Sequence, residues 1–238
     1  MTQNSNFASS EEVKKFYNTF KDHQNKLGIN IRHRTIFKNL KKAGLKPDSK
    51  VLEIGCGIGT VSSLILSFIT EGKFVGVDIS DESISLAKKL NAKHKNAEFV
   101  VNDMSSYTHA LKFDFVVLPD VLEHIPLEQH ANLFRVISSL TADQAVVLIN
   151  IPEPHCLNWA RKVIPEKLQI IDQSLSMQDL LNNSYPHGFE LFSLNSYCLQ
   201  YSEADYTSVI LKKNGWPTQY QIKDRLTLSI ENLKRKFD

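Results

Sequence analysis

The chain is short of features that would assign it to several functional classes. Its three cysteines, Cys56, Cys156 and Cys198, are an odd number without metal or disulfide spacing, which argues against a disulfide scaffold or zinc module and for a reducing, cytoplasmic setting. No leading apolar stretch or membrane-length apolar run occurs, so no membrane association is expected. The net charge of +2 is too small to argue for nucleic acid, and no zinc finger, aromatic RNA platform or large basic domain stands in the sequence. No internal repeat is apparent. What remains is ordinary globular usage, 42% apolar and 23% charged over 238 residues, enough for one α/β domain with a modest insertion.

The informative run is Val51-Leu52-Glu53-Ile54-Gly55-Cys56-Gly57-Ile58-Gly59-Thr60. Its apolar start reads as a parallel strand covered on both faces, and Thr60 to Ile69 as the helix that follows. Glycines belong where backbone approaches a ligand or takes positive φ, so the turn reads as a cradle for a nucleotide-type cofactor. A nicotinamide dinucleotide fits it poorly, because Thr60 stands where the third fingerprint glycine would be. Glu53 would repel a phosphate but suits a ligand carrying an ammonium or sulfonium charge. The pattern E-x-G-x-G-x-G resembles the first motif of class I S-adenosylmethionine-dependent methyltransferases.

Three further stretches fall in the order which that resemblance implies. Phe74 to Ser80 is a strand ending in Asp78, the ribose candidate. Phe99 to Met104 ends in Asp103, the adenine candidate, with Met104 packing on the ring or offering its N–H. Phe113 to Pro126 matches the fourth-strand motif, ending beneath the transferred methyl group. The resemblance thus implies cofactor contacts from Glu53, Gly55, Cys56, Gly57, Gly59, Asp78, Ile79, Asp103, Met104, Pro119 and Asp120. Cys56 receives no chemistry, since a small-residue slot with no paired cysteine suits packing or backbone contact.

The expected architecture is a Rossmann-like, doubly wound, seven-stranded and mostly parallel sheet with an antiparallel closing hairpin. Met1 to Ser10 reads as a disordered start, and residues 1–45 as an N-terminal helical cap in which Phe16, Tyr17 and Phe20, then Ile31, Ile36, Phe37 and Leu40, recur at helical spacing. Residues 46–213 form the expected methyltransferase domain, with helices at Glu82 to Asn91 and Leu127 to Leu140 and a fifth strand at Ala145 to Ile151. Pro152, Pro154, Pro165 and Pro186 mark an insertion, residues 152–188, expected to cover the substrate. Strands Phe189 to Leu199 and Tyr206 to Leu211 would close the sheet around a turn at Ser202 to Asp205. Residues 214–238 form a helical tail, with Leu226, Ile230, Leu233 and Phe237 at helical spacing.

The resemblance extends to small-molecule enzymes similar to the ubiquinone-biosynthesis O-methyltransferases. Methyl transfer asks mainly for alignment and, for a hydroxyl acceptor, a base. His155, just past the fifth strand, and His124, near the end of the fourth, are the base candidates, which makes oxygen the first acceptor atom; nitrogen, carbon and carboxylate acceptors and a non-catalytic cofactor-binding protein are the alternatives. Asp120, Glu123 and His124 form a D-x-x-E-H cluster similar to the E-x-x-E-H of magnesium-using relatives, an alternative to metal-free transfer if a helical turn puts them on one face. Tyr17, Phe20, Arg32, His33 and Trp159 are the candidate acceptor contacts, and the expected assembly is a monomer or homodimer acting on a small molecule without nucleic acid.

Overall fold

A computed structural model describes residues 28–169, 171–214 and 222–234. Seven strands form one sheet: β1 (Lys50–Ile54), β2 (Lys73–Asp78), β3 (Ala97–Val101), β4 (Phe113–Pro119), β5 (Thr141–Pro152), β6 (Phe189–Tyr197) and β7 (Tyr206–Lys213). Their spatial order is β3-β2-β1-β4-β5-β7-β6. The first five are mutually parallel, while β7 runs antiparallel to both β5 and β6. Strand order reverses between β1 and β4, so the crevice at their carboxyl ends is the place for a ligand.

Both faces of the sheet are covered, which is why β1 is buried from Val51 to Ile54 without alternation. The period of two decides which layer each residue joins. Leu52 and Ile54 belong to the core layer that also holds Leu133, Phe134 and Ile137 of α4 (Leu127–Leu140). Val51 belongs to the opposite core layer, with Ile36 and Leu40 of α1 (Ile31–Lys42), Val61 and Ile65 of α2 (Thr60–Leu66), and Ile84 and Ala87 of α3 (Asp81–Leu90). Thus α1 is part of the covering layer of the sheet. Asn30 and His33 cap it reciprocally, each side chain accepting the other's backbone N–H at 3.2 Å. Gly76 in β2 lies where the sheet has no room for a methyl group: an added Cβ would meet the Phe99 ring at 2.8 Å and Cys56 Sγ at 3.1 Å.

The insertion after β5 is more regular than its prolines suggested. Pro154 is the first residue of α5 (Pro154–Val163), where a missing N–H costs nothing, and Glu153 caps the helix by accepting from the amides of His155 and Cys156. Pro165 opens a 3₁₀ turn, and α6 (Met177–Ser184) packs on α4. The expected hairpin turn also differs. Strand β6 stops at Tyr197, and Asp205, buried, draws in the amides of Leu199 and Gln200, so a wider loop closed by a carboxylate replaces a tight turn. Within the tail the structure has α7 (Arg225–Lys234). Tyr17, Phe20, Trp216 and Phe237, and the side chains of Leu226, Ile230 and Leu233, lie outside the described residues. No described helix is long and apolar enough to cross a membrane.

Candidate active site

A cleft of about 1300 Å³ opens over the carboxyl ends of β1, β2, β4 and β5. Its floor is the glycine turn. Gly55, Gly57 and Gly59 all have positive φ, of 71°, 52° and 83°. The turn is tied to β2 by the amides of Gly55 and Cys56, both donating to the Val77 carbonyl. At Gly55 an added Cβ would lie 2.3 Å from Val121 Cγ2, and at Gly59 2.6 Å from the Asn91 amide nitrogen, so any side chain there strains the backbone and displaces a neighbour.

Two carboxylates frame this turn. Asp78 accepts from the Gly57 amide at 2.8 Å and from the Ser80 amide at 2.9 Å, which fixes both the turn and the start of α3. Burial pushes its carboxyl up, against the pull of the Ser80, Gly57 and Ile79 amides. Glu53 is 1% exposed and lines the cleft. One of its oxygens accepts from Ser62 Oγ at 2.6 Å, while Oε1 has no hydrogen-bond partner among the described residues. Burial, only partly offset by Ser62, raises its carboxyl to about 8. A buried carboxyl with one open oxygen at a cleft floor suits a cationic ligand group. Cys56 lies beneath the turn, 5% exposed, with its thiol pushed well up by burial, which suits packing.

Beyond β3, Asp103 and Met104 line the same cleft. Asp103 accepts from the Ser105 amide at 2.9 Å, a bond that holds its carboxyl below the ordinary range. Met104 is buried with φ 63°, and its N–H donates to Asn102 Oδ1 at 2.8 Å. The amide reading for Met104 is therefore corrected: only packing is left to it. Ile79 and Pro119 line the cleft.

At the β4–β5 side, Asp120 takes a left-handed φ of 57°, and its N–H donates to the Asn150 carbonyl of β5. Its carboxylate accepts from Asn150 Nδ2 at 2.9 Å and lies 3.1 Å from Arg32 Nε, an ion pair without hydrogen-bond alignment. Arg32 Nη1 donates to Tyr206 Oη at 2.7 Å, and the guanidinium also lies over the Tyr206 ring. Burial opposes that charge, but Asp120 and Tyr206 outweigh it and hold the guanidinium ionised. Tyr197 donates to Asn150 Oδ1 and completes the network. Spacing gave no signal for Tyr206 or Asn150; strand pairing alone puts them beside Asp120.

The histidines correct the sequence reading. His155 is 94% exposed, turned out of the cleft by the Glu153 cap, whose Oε1 lies 3.0 Å from its Nδ1. It cannot reach a substrate there. His124 does line the cleft, but its Nδ1 contacts the Ile171 carbonyl at 2.5 Å and Asp172 at 3.1 Å, and its Nε2 faces Glu123 at 3.7 Å. Burial works against its charge, yet Glu123, Asp172 and the Ile171 carbonyl raise its imidazole above the ordinary range, and the contacts at Nδ1 pin the ring, which makes it a poor base for a substrate. His33 lines the cleft too, with Nδ1 already accepting from Asn30, and burial followed by the Arg32 charge lowers it to about 4.

The D-x-x-E-H cluster does not fit a metal. Leu122–His124 is a 3₁₀ turn, so the helical spacing of three and four is not met, Asp120 is committed to Arg32 and Asn150, and His124 is held at Nδ1 by Ile171 and Asp172. Among the described residues no three His, Cys, Asp or Glu side chains are placed to hold one. Trp159 is also moved: it is 44% exposed and packs edge-on against Tyr201 at 5.5 Å, with only Tyr201 lining the cleft. The insertion instead presents Leu157, Ala160 and Ile164, one face of α5, together with Leu168 and Ile171. That helical period was readable in the sequence.

Comparison with known proteins gives a family match and several partial relatives. A family described as a methyltransferase domain matches residues 29–212. Malonyl-[acyl-carrier protein] O-methyltransferase 1 of Ilyobacter polytropus is 33% identical over 73 residues, 31% of this chain and 27% of that protein. Ubiquinone biosynthesis O-methyltransferase of Psychrobacter cryohalolentis is 30% identical over 141 residues, 48% of this chain and 53% of that protein. The matches thus span between about a quarter and about half the length of these curated relatives. Among solved structures, magnesium protoporphyrin IX methyltransferase from Synechocystis PCC 6803 with bound SAH superposes with a TM-score of 0.67 at 19% identity, covering 86% of this chain and 99% of that one, a likeness of fold.

Proposed function

Because the chain belongs to the methyltransferase-domain family and has the class I S-adenosylmethionine-dependent methyltransferase fold, we propose that it transfers the methyl group of S-adenosylmethionine to an oxygen of a small-molecule acceptor with an apolar body. The observation that carries this reading is Glu53: a buried carboxyl with an oxygen unpartnered among the described residues, lining the same cleft as Asp78 and the turn of three positive-φ glycines. When bound, S-adenosylmethionine supplies an electrophilic methyl group. The residues present fit it. Glu53 would neutralise the ammonium group, the glycine turn would admit close backbone contact, Asp78 would hold the ribose hydroxyls, and Asp103 with Met104 would bound the adenine. Pro119 and Asp120 would lie next to the reacting centre.

An acceptor wall from the insertion, residues 152–188, is supported by Leu157, Ala160, Ile164, Leu168 and Ile171 lining the cleft, and would favour an apolar body. Oxygen as the acceptor atom is supported by the two O-methyltransferase relatives. Histidine base catalysis is not part of the proposal. Calorimetric titration tests the cofactor assignment: S-adenosylhomocysteine binds and NAD does not, whereas NAD binding alone would replace the transferase with an oxidoreductase. The His155→Ala variant is expected to keep its affinity for S-adenosylhomocysteine and, at saturating acceptor, its turnover within about twofold, since surface changes away from a site are close to neutral. A loss of a hundredfold would return His155 to the mechanism.

A further inference from the structure

We propose that the acceptor presents a carboxylate to Arg32 and Tyr206 and lays its apolar body along the inner face of α5. This rests on the methyl-transfer reading and specifies its substrate class. Arg32 is the only lysine or arginine among the described residues lining the cleft. It stands with Tyr206 at the ends of β4, β5 and β7, across the switch point from Asp78 and Asp103, so it faces the half of the cleft left to an acceptor. Asp120 and the Tyr206 hydroxyl hold the guanidinium in one orientation through Nε and Nη1. Nη2 has no hydrogen-bond partner among the described residues, and the Tyr206 hydroxyl accepts from Arg32 without donating its own proton to any of them. Two donors are therefore left at the wall, the pair that a carboxylate accepts.

The chemistry points the same way. A hydroxyl acceptor has to lose a proton, and no cleft histidine is placed to take it: His124 is held at Nδ1 by the Ile171 carbonyl and Asp172 with its Nε2 turned toward the buried Glu123, and His33 is engaged at Nδ1. A carboxylate needs no base. One of its oxygen lone pairs forms the bond to the methyl carbon as the methyl–sulfur bond breaks, the bonding pair stays on sulfur, and the carboxylate and sulfonium charges vanish together without a proton transfer. The second carboxylate oxygen stays on Arg32 and Tyr206. Beyond this anchor, Leu157, Ala160, Ile164, Leu168 and Ile171 bring apolar side chains to the cleft, with Glu166 and Gln169 among them, so the product would be the methyl ester of an amphiphilic acid.

The test is calorimetric titration of the whole protein, saturated with S-adenosylhomocysteine, with decanoate, 1-decanol and decylamine. Decanoate is expected to bind at least about tenfold more tightly than the other two, a charge-assisted contact being worth about that much. Arg32→Gln should weaken decanoate by about tenfold or more and Tyr206→Phe by severalfold, with affinity for S-adenosylhomocysteine unchanged. Tyr206→Phe keeps the Arg32–Asp120 pair and carries the test should Arg32→Gln not fold. Equal or tighter binding of the alcohol or amine, no binding of decanoate, or a loss in Arg32→Gln confined to S-adenosylhomocysteine overturns the proposal; the last outcome would put the guanidinium on the cofactor's own carboxylate. Failure of the wild type to bind S-adenosylhomocysteine in the preceding titration would instead remove the methyl-transfer reading itself.

Discussion

Asp78→Ala binds S-adenosylhomocysteine at least about a hundredfold more weakly than the wild type, the largest loss expected from any single change to the cofactor half of the cleft. Two hydrogen bonds from ribose hydroxyls to a carboxylate are each worth about 1.5–3 kcal/mol, which together amount to two decades or more of affinity. The same carboxylate holds the Gly57 and Ser80 amides, so its removal also loosens the turn that has to meet the ligand. Asp78→Asn keeps the shape and one acceptor oxygen, and is expected to lie between the two. Calorimetry reads the affinity, and thermal melting separates a lost contact from a lost fold. Binding by Asp78→Ala within about threefold of the wild type would place the ribose elsewhere.

Affinity for S-adenosylhomocysteine rises with pH below about 8, by up to about tenfold per pH unit, and levels off above. The cause is Glu53. In the free protein burial keeps its carboxyl protonated up to about 8, whereas the ligand's ammonium group favours the ionised form, so binding at neutral pH must release that proton. The free protein moves in the opposite sense. A carboxyl raised from its ordinary 4.5 to about 8 contributes stability that is present below 4.5 and lost as pH climbs to about 8. The gain in melting temperature on adding S-adenosylhomocysteine should therefore widen from about pH 6 to about pH 8. Glu53→Gln should flatten the affinity profile and bind most weakly, relative to the wild type, at the alkaline end. Heats of binding that are the same in buffers of different ionisation enthalpy would show that no proton leaves, and would remove Glu53 from contact with the cation.

The proposed cofactor half of the site was legible because its information is local. Gly55, Gly57, Gly59 and Asp78 belong to one strand-turn-helix-strand unit, and the fold needs them at fixed spacing. Of the proposed acceptor pair, Arg32 was named from the sequence but Tyr206 was not, because long-range pairing brings them together. Arg32 and Tyr206 lie 174 residues apart and meet only through the position of α1 and the antiparallel register of β7 against β5. His155 and Trp159 were misplaced for a different reason. Their positions follow from the rotation of α5, which the Glu153 cap and Pro154 set, and a residue count past the end of β5 does not reveal which face turns inward. Counting by helical period from the same cap does, and it finds Leu157, Ala160 and Ile164. The fold class was readable from alternating strands and helices. The wide β6–β7 loop was not, since it depends on Asp205 being drawn inward to two amides.

Under the glycine turn, Cys56, Gly76 and Phe99 fill one another's space so closely that a single methyl group added to β2 would strike both the sulfur and the ring. Bulk added at any one of them has to be matched by a smaller side chain at another, so single enlargements in this corner are expected to destabilise and matched pairs of replacements to be tolerated better.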